Sequence, residues 1–212
     1  MTDPQKVLIA VLLDRSGSME SIKSDTEGGF NAFIDEQRKE SGRANVTLAQ
    51  FDTEYEVVYA DQPIVAVARL ELQPRGATAL YDSLGRLITD VGAALKDTPE
   101  DERPGKVIVL VMTDGHENSS REWTHEAVSK AIKRQERDYS WEFIFLGANM
   151  DAVAVGQRLG FTADRTMTYA TTSAGVGSSW ASNSRLVSRM RSAPAGQRAD
   201  GYTDDDRRAA QR

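Results

Sequence analysis

Continuous apolar runs alternate with stretches of helical period along most of this chain. Residues 6–13 (K-V-L-I-A-V-L-L) are apolar almost without a break and end at Asp14, the mark of a strand buried on both faces. Residues 24–38 follow as a helix, with Phe30, Phe33 and Ile34 on one face. Ser24 and Glu27 have the spacing of a capping box, and Gly28-Gly29 marks a bend or a close approach. Residues 45–52 read as a second strand, and 55–59 as its hairpin partner across Asp52-Thr53-Glu54. Leu80, Leu84, Leu87, Ile88, Val91 and Leu95 recur at helical spacing over 79–95. The run K-V-I-V-L-V-M-T at 106–113 has the composition of a central parallel strand. A helix at 124–138, a strand at 141–146 and a short helix at 151–159 follow. Asp151 caps that helix, Gly160 stops it, and a last short strand spans 166–169.

This order predicts the α/β class: a doubly wound, mostly parallel six-stranded sheet, Rossmann-like, with one antiparallel edge strand and helices on both faces. The predicted domain spans 1–170. Residues 171–212 read as a Ser/Ala/Arg-rich extension. Leu186, Val187 and Met190 give 179–192 a face that docks on the domain. Pro194-Ala-Gly reads as a linker, and Thr203-Asp-Asp-Asp as the start of a short helix with acid at its positive end.

With 212 residues the chain can bury a core without staples. It has no cysteine, which excludes disulfides and thiolate metal sites and fits a reducing compartment. Neither a signal peptide nor a membrane-spanning run is legible, so the expected location is cytoplasmic, with no membrane partner. The net charge is −6. From Ala170 onward seven Arg, no Lys and four Asp give +3, which leaves −9 on the first 169 residues. An acidic body argues against nucleic-acid binding by the main domain.

Candidate chemistry lies at the carboxyl ends of the strands, where open α/β sheets bind ligands. Asp14-Arg15-Ser16-Gly17-Ser18 follows the first strand, Gly76-Ala77-Thr78 opens a helix, and Thr113-Asp114-Gly115 follows the central strand. If the first and central strands are neighbours, Asp14 and Asp114 lie side by side and repel unless a cation sits between them. Ser16, Ser18 and Thr78 add neutral oxygens, and an all-oxygen set suits Mg²⁺ or Mn²⁺.

D-x-S-x-S, a Thr in a glycine-bearing loop and T-D-G, in that order, resemble the von Willebrand factor A (vWA) domain and its metal-ion-dependent adhesion site. The resemblance covers residues 5–169. T-D-G-H-E-N-S-S-R-E-W and W-E-F-I-F-L-G-A-N look like the stand-alone prokaryotic or phage members. It implies that Ser16 and Ser18 bind a metal directly, that Thr78 does so in the ligand-competent state, and that Asp14 and Asp114 bind mainly through water, or one of them moves in when the site is empty. The last position is then left for an Asp or Glu of a protein partner. The function implied is a non-enzymatic, metal-dependent protein-binding module, in some relatives beside an ATPase or in a larger complex. The alternative is a structural subunit of a phage or multiprotein assembly.

Enzyme readings fare worse. A Mg²⁺-dependent phosphatase of the haloacid dehalogenase type needs a second Asp two residues after the first, and Ser16 stands there. No G-x-G-x-x-G, Walker A or G-x-S-x-G motif is present. Local roles are expected elsewhere. Arg15 points to solvent, Asp52 is a turn residue and Asp82 an ordinary helix carboxylate. His116 and Glu117 lie in a solvated loop, Ser119 or Ser120 caps the next helix, and Trp123, Trp141, Phe143 and Phe145 pack between helix and sheet.

Overall fold

The computed structural model describes residues 1–194 and 196–212; Ala195, in the expected linker, lies outside the described residues. Six strands form one sheet: β1 (Asp3–Asp14), β2 (Arg43–Phe51), β3 (Tyr55–Pro63), β4 (Pro104–Thr113), β5 (Glu142–Ala148) and β6 (Thr166–Tyr169). Their order is β3-β2-β1-β4-β5-β6. All pairings are parallel except that of β2 with the edge strand β3. The chain winds outward from β1 in both directions, so the crevice between the carboxyl ends of β1 and β4 is the switch point.

Helices α1 (Lys23–Gln37), α5 (Ser173–Ser192) and α6 (Asp204–Ala210) cover one face. Helices α2 (Leu80–Asp97), α3 (His125–Tyr139) and α4 (Ala152–Leu159) cover the other. The pleat of β1 explains its unbroken apolar run. Val7, Ile9, Val11 and Leu13 enter the first core, and Leu8, Ala10 and Leu12 the second. Trp123, Phe143 and Phe145 pack in the second core, as the sequence predicts for them.

The helix ends differ in part from expectation. Asp151 caps α4 by accepting from the Ala154 N–H, and Gly160 ends it at φ +102°, where a side chain would be strained. The capping box expected at Ser24 and Glu27 does not form, because a 3₁₀ turn (Gly17–Ile22) runs straight into α1. Glu27 instead accepts from the Leu72 N–H at 2.8 Å, across the loop before α2. The cap of α3 is Thr124, not Ser119 or Ser120; its side chain accepts from the Ala127 N–H.

The helix expected at 179–192 begins at Ser173, and its docking face is larger than the three residues predicted. Val176 and Trp180 join Leu186, Val187 and Met190 in the first core. Trp180 stands edge-on to Phe30 at 5.7 Å between ring centroids, over Gly29. A Cβ at Gly29 would lie 2.1 Å from that indole, so this glycine is a close approach. Gln37 Nε2 donates to the Ser184 carbonyl (3.1 Å), and Arg191 Nη1 donates to the Gln37 carbonyl (2.6 Å).

Helix α6 carries a capping box, Thr203 with Asp206, rather than acid alone. Burial opposes the charge of Asp206. The hydrogen bonds from Arg185 and from Thr203 outweigh it and hold the carboxyl at about 2. A depressed folded-state pKa gives stability that is full above the ordinary value of 3.8 and is lost as the pH falls through about 2. Asp206→Asn is therefore expected to cost about 1–2 kcal/mol near neutrality, discounted because Arg185 is half exposed. In urea titrations the gap between the two proteins should close between about pH 4 and pH 2. A gap constant over that range would refute the ionic role.

Candidate metal centre

Three segments meet at the β1–β4 crevice. The first is the turn after β1. Asp14 and Ser16 are buried there, and the Ser16 N–H donates to Asp14 Oδ1 at 2.6 Å. Ser16 Oγ and Ser18 Oγ lie 3.2 Å apart. The second is the turn after β4, where Asp114 accepts from the Ser18 hydroxyl at 2.6 Å. Thr113 Oγ1 donates to Asp14 Oδ2 at 2.5 Å, so the two strand ends are joined by side chains as well as by the ladder. The third is the extended segment before α2, which carries Thr78. A Cβ at Gly115 would lie 3.7 Å from both Ser18 Oγ and Thr78 Oγ1, so both hydroxyls flank that glycine. The five residues singled out by sequence are thus gathered at one edge.

The electrostatics are those of an under-compensated pair. Burial pushes Asp14 up to about 6, against the bonds from Thr113 and Ser16, and the charge of Asp114 adds to the rise. Burial also raises Asp114, with the Ser18 hydroxyl opposing. Among the described residues no Lys or Arg pairs with either carboxylate. Nor, among them, do three or more His, Cys, Asp or Glu side chains gather as a metal group. The available set is two carboxylates and three hydroxyls, all oxygen, with an excess of negative charge. That fits a hard divalent cation, which would supply the missing positive charge.

Several residues that hold this set in place were not legible as such. Arg15 is a correction: it does not point to solvent. It is 5 % exposed, with Nε 2.9 Å from Asp52 Oδ2 and Nη1 2.5 Å from Glu56. Asp52, expected as a turn residue, is buried and also accepts from Arg75 Nε at 2.9 Å. The Thr78 N–H donates to Asn118 Oδ1 (2.9 Å), and the Asn118 N–H donates to the Thr78 carbonyl (3.0 Å). Asn149 Nδ2 donates to the Asp114 carbonyl at 3.0 Å.

Asp82 and Glu117 are more than a helix carboxylate and a solvated loop residue. Asp82 accepts from the N–H groups of Arg121, Glu122 and Trp123. Glu117 accepts from those of Tyr81, Ser119 and Ser120. Together they staple the loop after Asp114 to the start of α2. For Glu117 the sequence signal is the density of Asn, Asp and Ser in T-D-G-H-E-N-S-S, which also describes an ordinary loop, and Asp82 reads as one more carboxylate in the first turn of α2.

No family model matches the chain, and no curated protein matches it. Solved structures do. Proximal thread matrix protein 1 from the mussel byssus, with a zinc-occupied MIDAS motif, matches at TM-score 0.61 and 16 % identity over 86 % of this chain and 46 % of that one. A von Willebrand factor type A structure from Catenulispora acidiphila matches at TM-score 0.60 and 15 % identity over 87 % and 42 %. The open conformation of the pilus adhesin SpaC from Lactobacillus rhamnosus GG matches at 0.59 and 17 % over 86 % and 30 %. The chain spans less than half the length of each of these. The fold is that of the von Willebrand factor A domain.

Proposed function

We propose that this chain is a divalent-metal-dependent protein-binding module that works without chemical turnover. The observation that carries the reading is the convergence of Asp14 and Asp114 with Ser16, Ser18 and Thr78, with no cationic side chain among the described residues to neutralise the two carboxylates. Mg²⁺ or Mn²⁺ is the cation we assign to the set, because every donor is oxygen. The ion, when bound, supplies an electrophilic centre to which a carboxylate of a protein partner adds.

The chain's own residues divide the work. Ser16, Ser18 and Thr78 offer neutral oxygens, which leave the positive charge largely unspent. Asp14 and Asp114 provide the anionic surround from the strand ends. Ser18 and Gly17 are exposed, so the site opens to a partner's side chain. The zinc-occupied MIDAS motif of the mussel matrix protein supports a divalent ion at such a site in this fold.

The test is capture from a lysate of the native host with the full chain, in Mg²⁺ and in chelator, with Ser16→Ala/Ser18→Ala alongside. The expected result is a partner retained in Mg²⁺ and released by chelator, with the double variant behaving like the chelated protein. Affinity for Mn²⁺ by titration calorimetry should fall by about 100-fold or more in that variant, since loss of a single outer-shell partner already costs about 10–100-fold. Calorimetry without a binding signal for the wild-type chain would sink the metal reading.

A further inference from the structure

Thr78 is the candidate donor that lies farthest along the chain from a strand end. Asp14 and Asp114 sit at strand ends, but residues 73–79 are neither strand nor helix. This segment is anchored at four backbone points. The Arg75 N–H donates to the Arg15 carbonyl (2.8 Å), and the Gly17 N–H donates to the Gly76 carbonyl (3.2 Å). The Ala79 N–H donates to the Asp52 carbonyl (2.9 Å), and Thr78 exchanges bonds with Asn118. Two of these four anchors end on Arg15 or Asp52, and the side chains of those residues are themselves locked together.

Asp52 Oδ2 accepts from Arg15 Nε and from Arg75 Nε, each at 2.9 Å. Its other oxygen accepts from the Glu54 N–H at 2.7 Å. Arg15 lies inside the serine turn, Arg75 lies three residues before Thr78, and a single buried carboxylate grips both. Burial works against the charge of Asp52, but Arg75, the Glu54 N–H and Arg15 together hold it below the usual carboxylate range. Phe51, its chain neighbour, pairs with Asp14 across β1 and β2, so an anion with two guanidinium partners stands beside the strand end of a carboxylate that, among the described residues, has only neutral donors. A Cβ at Gly76 would fall 3.4 Å from the Asp52 Cβ, so the backbone between Arg75 and Thr78 lies directly against this hub.

We propose that Asp52, through Arg15 and Arg75, is the positioning residue for Thr78: it ties the serine turn and the threonine segment into one unit without contacting the metal. The proposal rests on the metal reading above only for its affinity arm. Its other arm is local hydrogen exchange in the metal-free protein.

The decisive variant is Arg75→Gln. Arg75 is half exposed, so its loss strands no buried charge, whereas Asp52→Asn leaves the buried Arg15 short of a partner. In chelator, amide exchange at Gly17 and Ala79 is expected to speed up about tenfold or more in Arg75→Gln, with the melting temperature little changed. In the same variant Mn²⁺ affinity by calorimetry should weaken by about tenfold. Arg43→Gln, which removes a surface ion pair far from the site, should move neither. Unchanged exchange at both amides overturns the hub. Faster exchange with unchanged Mn²⁺ affinity overturns its role in placing Thr78. If the wild-type chain binds no Mn²⁺, the metal reading fails and the hub is decided by exchange alone.

Discussion

In chelator near neutral pH, Asp14→Asn is expected to be more stable than the wild-type chain, although it removes a residue at the heart of the site. The carboxyl of Asp14 is pushed up to about 6 by burial from an ordinary value of 3.8. A raised folded-state pKa contributes stability that is fully present below 3.8 and is lost as the pH rises through about 6. Near neutrality the ionised, metal-free site therefore opposes folding, by about 2–3 kcal/mol at roughly 1.4 kcal/mol per pKa unit. Asparagine fits the same space. Its oxygen accepts from the Ser16 N–H, and its amide donates to Thr113 Oγ1, whose hydroxyl turns to the Gly115 carbonyl 3.1 Å away.

Divalent metal should reverse the ranking. The wild-type chain gains the binding free energy of the ion as stability, while Asp14→Asn, lacking the charge, gains little. Urea titrations near pH 7.5 and pH 4, with chelator and with Mn²⁺, give the comparison. The expected advantage of the variant in chelator shrinks toward pH 4, where Asp14 is protonated in the folded chain. A variant weaker than wild type in chelator near pH 7.5, with an undiminished metal response, would contradict the account of the site.

Truncation after Ala170 is expected to abolish cooperative unfolding. The sequence suggests a boundary there; we propose instead that the folded unit runs on through α6. Val176, Trp180, Leu186, Val187 and Met190 are all buried in the first core, against Phe30 and Phe33 of α1. At about 1.5–3 kcal/mol for each large apolar side chain, their loss removes about 10 kcal/mol, comparable with the whole stability of a domain. The cut also strips the polar clasp between Gln37, Ser184 and Arg191. A cut after Ser192 is milder. It removes Tyr202 and Ala210 from the edge of the first core and Asp206 from Arg185 of α5, and should lower the melting temperature while leaving a single transition. Calorimetry of both chains checks this. Two-state melting of the 1–170 chain would restore the boundary at 170.

The hydrophobic pattern determined much of this protein. Buried parallel strands need apolar residues on both faces, and helices need one apolar stripe, so 6–13, 79–95 and 106–113 declare their state locally. The order of those elements sets the winding of the sheet, and the winding brings the ends of β1 and β4 together. Asp14, Ser16, Ser18 and Asp114 were legible because each lies within five residues of a strand end. Thr78 was legible only through its motif.

What tertiary structure alone decided was long-range polar pairing. Arg15 reads as a surface residue until a carboxylate 37 positions away meets it, and Asp52 reads as a turn until two guanidinium groups converge on it. The extent of α5 belongs to the same class. A helix rich in Ser, Gly and Arg has a weak apolar stripe, and its burial depends on Gly29 admitting Trp180. Apolar periodicity is a property of one segment and can be read from it. An ion pair or a close approach is a property of two segments, and only the fold brings them together.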